Sequence, residues 1–187
     1  MAFVDAGYLT GAARKLLALE GPVEINGNEL TFWAECVPMD RRRSKLLRVY
    51  VYDAAFAAED DEYSEQRKYF DRLASSAGVR LRLGHLVTRD GGRNRGRVEQ
   101  KGVDTLLVLD LVRMAQQGAF DTALVIAGDR DLAEALRVIA DDHSRRVVLF
   151  TVEGSDPHKE LVHVTDVHGL IEKHDVSRLV KARLAEE

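Results

Sequence analysis

The chain has 187 residues, 45% of them hydrophobic, with a mean hydropathy of -0.22, the composition of an ordinary globular protein with a core of its own. Its formal net charge of -4 excludes a polycation that coats nucleic acid non-specifically, so any contact with phosphates has to be local. No apolar stretch approaches the roughly 20 residues that span a bilayer, no secretory leader is read at the N-terminus, and one cysteine excludes a disulfide framework. A cytoplasmic chain with no membrane partner is expected, with Cys36 as a small buried apolar residue.

Runs rich in Val, Leu and Tyr at residues 2–4, 46–52, 79–87, 122–127 and 146–152 read as five strands. Helical patterns fall between them, at about 10–20, 29–38, 62–77, 102–118 and 131–141. Alternation of this kind predicts βαβ units, hence a three-layer α/β/α sandwich around a Rossmann-like parallel sheet of about five strands. The unbroken run Ala123 to Ala127 suits a central strand covered on both faces. After Thr151 the pattern weakens, and two short helices are expected near 166–173 and 175–185. No repeat or composition break divides the chain, so residues 1–187 read as a single domain, with a core of 1–152 and a C-terminal helical extension of 153–187.

Two basic runs stand out: Arg41, Arg42, Arg43, Lys45 and Arg48, then Arg89, Arg93, Arg95, Arg97 and Lys101. The second lies largely within Thr88–Gln100, a glycine- and arginine-rich stretch that reads as an exposed, mobile loop. Either run alone is ordinary solvated charge.

Helical phase, at about 100° per residue, puts Leu107, Val108, Leu111, Val112, Met114 and Ala115 on one face of the 102–118 helix with Asp104 near its middle. Asp110 falls toward the other side and reads as a solvated carboxylate. An inward carboxylate needs a partner, although Asp104 could equally be a first-turn residue facing the helix dipole. Asp131 and Glu134 fit a capping box at the start of the 131–141 helix. Asp129 lies in the turn after a strand and Asp5 ends the first strand, so both sit where open α/β sheets bind ligands, side by side if strands one and four are neighbours. Asp53 and Asp110 are weaker candidates. The histidines at 158, 163, 168 and 174 present no i, i+4 pair and read as separate residues. Carboxylates converging at one sheet edge repel one another unless a cation lies between them, the arrangement of a Mg²⁺ or Mn²⁺ site.

Lys101-Gly-Val-Asp104 through Asp110-Leu-Val, then Thr122 through Ile126-Ala-Gly-Asp129-Arg-Asp131-Leu, together with Phe3-Val-Asp5-Ala-Gly-Tyr8 and Val51-Tyr-Asp53, resemble the NYN domains of the PIN-like superfamily, particularly the LabA-like group. The resemblance covers about residues 1–152. It implies a PIN-like sandwich and a metal-dependent ribonuclease, with Asp5, Asp104, Asp129 and Asp131 as metal ligands and catalytic residues. Many relatives carry Asn where this chain has Tyr8. Arg93, Arg95, Arg97, Lys101 and Arg130 are the residues expected to grip single-stranded RNA, and a homodimer is an assembly this reading allows. The alternative is a non-catalytic RNA-binding or regulatory module that retains the fold.

Overall fold

The computed structural model describes residues 1–37, 45–57, 63–88 and 98–183. In chain order the elements are β1 (Ala2–Asp5), α1 (Ala6–Leu17), β2 (Val23–Ile25), α2 (Gly27–Cys36), β3 (Val49–Ala55), α3 (Tyr63–Ser75), β4 (Val79–Thr88), β5 (Val98–Lys101), α4 (Val103–Gln116), β6 (Thr122–Ile126), a 3₁₀ turn (Arg130–Leu132), α5 (Ala133–Asp141), β7 (Arg146–Val152), α6 (Lys159–His163), β8 (Val167–Ile171), α7 (Lys173–Leu179) and β9 (Val180–Ala182). The main sheet runs β5-β4-β3-β1-β6-β7-β8, and β2 pairs with β9 separately. Every contact in the main sheet is parallel except β4 with β5.

Alternation of side chains along the strands divides the interior into two cores. Val4, Val51, Leu124 and Ile126 face α1, α2, α3 and α7, while Phe3, Tyr52, Ala123, Val125 and Ala127 face α4, α5 and α6. The protein is thus a mixed α/β/α sandwich on a mostly parallel sheet. Central strands carry apolar residues on both sides because both faces are covered.

The main sheet holds seven strands, two more than expected. The stretch 166–173, expected as helix, contains β8, and 175–185 is divided between the end of α7 and β9. β8 is an edge strand with its first two residues exposed, so it lacks the alternation that betrays a half-buried strand. Of the expected loop Thr88–Gln100, residues 98–100 belong to β5, and 89–97 lie outside the described residues. Gly84 makes the junction of β5 and α4 possible: a Cβ there would lie 2.5 Å from the Lys101 carbonyl oxygen.

The expected phase of α4 is reversed at both carboxylates. Asp110 is 2% exposed and Asp104 is exposed. Asp110 lies three residues from Leu107 and four from Met114, inside a buried stripe wider than the apolar residues alone define. Cys36, expected to be buried, is exposed at the end of α2. Among the described residues, no helix is long and apolar enough to cross a membrane.

Candidate functional site

From β1 the chain steps outward to β3, β4 and β5, then returns to the other side of β1 for β6, β7 and β8. The order reverses between β1 and β6, which are hydrogen-bonded neighbours. A crevice opens beyond the carboxyl ends of strands at such a switch point. Here it is an open cleft of about 1230 Å³, lined by the first turns of α1, by Gln100 and Asp104, by Gly128 to Arg130 and by the loop 153–159.

Of the four aspartates expected to gather, Asp5, Asp104 and Asp129 line this cleft and Asp131 does not, and each is placed differently. Asp5 is the N-cap of α1, its Oδ1 accepting the Tyr8 N–H at 2.9 Å. Burial pushes its carboxyl up to about 6; the Tyr8 N–H bond opposes the shift, and Asp104 and Asp129 add to it. Asp129 caps the 3₁₀ turn by accepting the Asp131 N–H at 3.2 Å. That turn displaces the expected capping box: α5 starts after Leu132 with no side-chain cap, and Asp131 is exposed. Asp104 projects from the first turn of α4, its pKa raised by partial burial and then by Asp129 and Asp131. Asp53 lies within β3 and does not line the cleft; its Oδ1 accepts the Ala54 N–H at 2.8 Å, and burial followed by Asp5 pushes it to about 6.

These groups feel one another's charge without forming a coordination sphere. Among the described residues, no three Asp, Glu, His or Cys side chains are placed to hold a metal ion. The expected Mg²⁺ or Mn²⁺ centre of Asp5, Asp104, Asp129 and Asp131 is therefore corrected, and with it the reading of the chain as a metal-dependent ribonuclease with those aspartates as catalytic residues. The physical reason is local: two of the four carboxylates are committed to capping backbone N–H groups at the starts of different helical segments. Asp110 does not line the cleft. It is buried away from the cleft, where it accepts from Tyr52, Arg82 and Arg113.

Cations stand at the rim. Lys15 and Lys159 line the cleft, Lys101 follows Gln100, all three are exposed, and none has a carboxylate partner among the described residues. Arg130 is exposed and pairs with Glu160 at 2.8 Å. Arg93, Arg95 and Arg97 lie outside the described residues. Tyr8 occupies the middle of the cleft wall: its hydroxyl lies 2.7 Å from Ser155 Oγ and accepts the Val152 N–H at 3.0 Å. Its ring rests on Gly128, where a Cβ would come within 2.3 Å of it. Tyr8 thus fastens α1 to the loop after β7.

Several lining residues were not visible in the sequence. Lys15 is one basic residue on an amphipathic helix, and the loop 153–159 reads as an ordinary turn. Gln100 sits over Gly7, its Oε1 2.9 Å from where a Cβ would be. His158 caps α6 through Nδ1, while His168 bonds Thr151 and His174 lies beside Glu172 and Asp175.

The family model described as NYN domain matches residues 25–171. The chain is 32% identical over 80 residues to the uncharacterized protein y4oD of Sinorhizobium fredii, an alignment that covers 43% of this chain. It spans 33% of that relative's length. A crystal structure of a protein of unknown function from Vibrio parahaemolyticus superposes with a TM-score of 0.62 at 17% identity, covering 91% of each chain. The latter likeness is one of fold.

Proposed function

Because the chain belongs to the NYN-domain family, we propose that it is a non-catalytic RNA-binding module, PIN-like in fold and closest in kind to the LabA-like group, that takes single-stranded RNA along the cleft beyond β1 and β6. The observation that carries this reading is the unneutralised rim: Lys15 and Lys159 line an open cleft at the switch point with no carboxylate partner among the described residues. Lys101 and Arg130 extend that rim, and Arg93, Arg95 and Arg97 supply further cations in the sequence between β4 and β5. Ammonium and guanidinium groups at a rim contact the backbone of any sequence. Asp5, Asp104 and Asp129, with Glu153 and Asp156 on the same loop as Lys159, repel phosphate, so the strand's phosphates are held at the cations.

Titration of a labelled single-stranded RNA by fluorescence anisotropy, across salt concentrations and in chelator, tests this. Binding is expected without divalent metal. For single strands the slope of log K against log salt is about −0.7 per phosphate contact, so Lys15→Gln with Lys159→Gln lowers affinity roughly 25-fold at 0.1 M salt. No binding by the wild type, or binding that the double variant leaves unchanged, would sink the reading.

A further inference from the structure

A second group of cations lies on the flank of the sheet, toward the amino end of β4 and away from the cleft. Arg80 and Arg82 alternate with apolar residues along β4, so they share the face that α4 covers. In the parallel register Tyr50 lies opposite Arg80 and Tyr52 opposite Arg82. Arg113 comes from the last turn of α4. At the centre sits the buried carboxylate of Asp110. Its Oδ2 accepts from Arg82 Nε at 2.8 Å and the Tyr52 hydroxyl at 3.1 Å, and its Oδ1 accepts from Arg113 Nη2 at 2.8 Å and Arg82 Nη2 at 3.4 Å.

One buried carboxylate is satisfied by one guanidinium and a hydroxyl. Here two guanidiniums converge on it, and both remain about half exposed, with side chains 42% and 57% accessible for Arg82 and Arg113. Arg80, exposed beside them, donates only to the carbonyl of its own neighbour Val79 among the described residues. Three guanidiniums against one carboxylate leave a surplus of two positive charges on a chain whose net charge is negative. Asp110 holds two of the side chains in fixed orientation, which removes much of the rotamer entropy that a free arginine loses when it clamps a phosphate. The other N–H groups of Arg82 and Arg113 have no acceptor among the described residues.

We propose that Arg80, Arg82 and Arg113, arranged around Asp110, form a second contact for the phosphates of RNA, separate from the cleft. It rests on the reading of the chain as an RNA-binding module and adds to it a strand path that leaves the cleft and continues along the α4 side of β4. Contacts that these guanidinium forks make to phosphate oxygens alone are indifferent to sequence.

Arg82 holds Asp110 through two of its nitrogens and Arg113 through one, so the informative variants leave Arg82 in place as the remaining partner. Arg80→Gln with Arg113→Gln removes two contacts, and affinity for a long single-stranded RNA falls roughly 25-fold at 0.1 M salt while the salt slope drops by about 1.4. A short RNA that fills only the cleft binds the double variant as it binds the wild type, which also shows that the variant is folded. Arg113→Lys keeps the charge and recovers part of the loss. Undiminished binding of the long RNA overturns the second contact while leaving the cleft reading intact. Failure of the wild type to bind either RNA overturns both. An acidic peptide that binds the wild type more tightly than RNA, and loses affinity in the same double variant, assigns the patch to a protein partner and overturns the proposal.

Discussion

The protein places carboxylates in two settings. Asp5 at the cleft and Asp53 within β3 are covered by protein with backbone N–H groups as partners and other carboxylates nearby, and both are pushed up to about 6. Asp110 and Glu24 are buried more completely, yet each faces guanidinium groups. Glu24 takes a two-pronged bond from one Arg72 nitrogen and one from Arg183, with Lys181 3.7 Å away. Burial raises its pKa, but the arginine bonds outweigh it and hold the carboxyl below its usual range. Depth alone therefore does not decide a carboxylate's state; the partner does. The paired carboxylates stabilise the fold. Asp5 and Asp53, whose charged forms burial disfavours, oppose folding at neutral pH.

The largest effect is expected on the paired side. Asp110→Ala strands the buried Tyr52 hydroxyl and leaves two guanidiniums crowded without their anion. Breaking a buried pair from one side costs about 3 kcal/mol or more. Urea denaturation at pH 7 measures it, and a loss under about 1 kcal/mol would show that Asp110 is no more than a solvated pair, removing the central post of the arginine patch.

On the cleft side the sign reverses. Asp5 titrates near 6 when folded against an ordinary 3.8, so the native state holds the proton more tightly. The stability linked to that proton is complete below about pH 4 and is lost as pH rises through 6. Asp5→Asn keeps an acceptor for the Tyr8 N–H and removes the charge. It should stabilise the protein by up to about 3 kcal/mol at pH 8, the gain fading as pH approaches 4. Denaturation across that range checks it; a variant less stable than wild type at pH 8 would place Asp5 with Asp110 and dissolve the contrast.

Much of the fold was legible because the central strands are unbroken apolar runs and the α3 and α4 patterns are long and periodic. Asp5 and Asp129 were correctly placed at neighbouring strand ends, since a strand end follows from the apolar run before it. What failed has a common cause. Asp110 looked solvated because helical phase cannot show that Arg82, from a strand 28 residues away in the chain, waits beneath it. Asp129 looked like a ligand because a 3₁₀ turn before α5 shifts the cap by two residues, a choice made by packing. β8 and β9 are short edge pieces whose identity lies in the strands they join. Side-chain partners distant in sequence decide a site, and periodicity carries no record of them.

The smallest expected effect tests the wall between the two settings. Gly128 does not have a positive φ, so alanine is allowed by its backbone. Its Cβ, however, would lie 2.3 and 2.7 Å from two carbons of the Tyr8 ring. The ring cannot slide freely, because its hydroxyl is bound to both Ser155 and the Val152 N–H. Gly128→Ala should therefore cost about 1–3 kcal/mol through overpacking. Tyr8→Ala alone should destabilise as well, by freeing the Val152 N–H from its partner. If the steric account holds, Gly128→Ala in the Tyr8→Ala background costs almost nothing, and a double-mutant cycle gives a coupling of about 1 kcal/mol or more. Additive losses would mean that Gly128 is needed for something other than the Tyr8 ring. Coupling of the expected size would identify Tyr8 as the fastening that holds the loop carrying Lys159 against α1 carrying Lys15, and so fixes the spacing of the cationic rim.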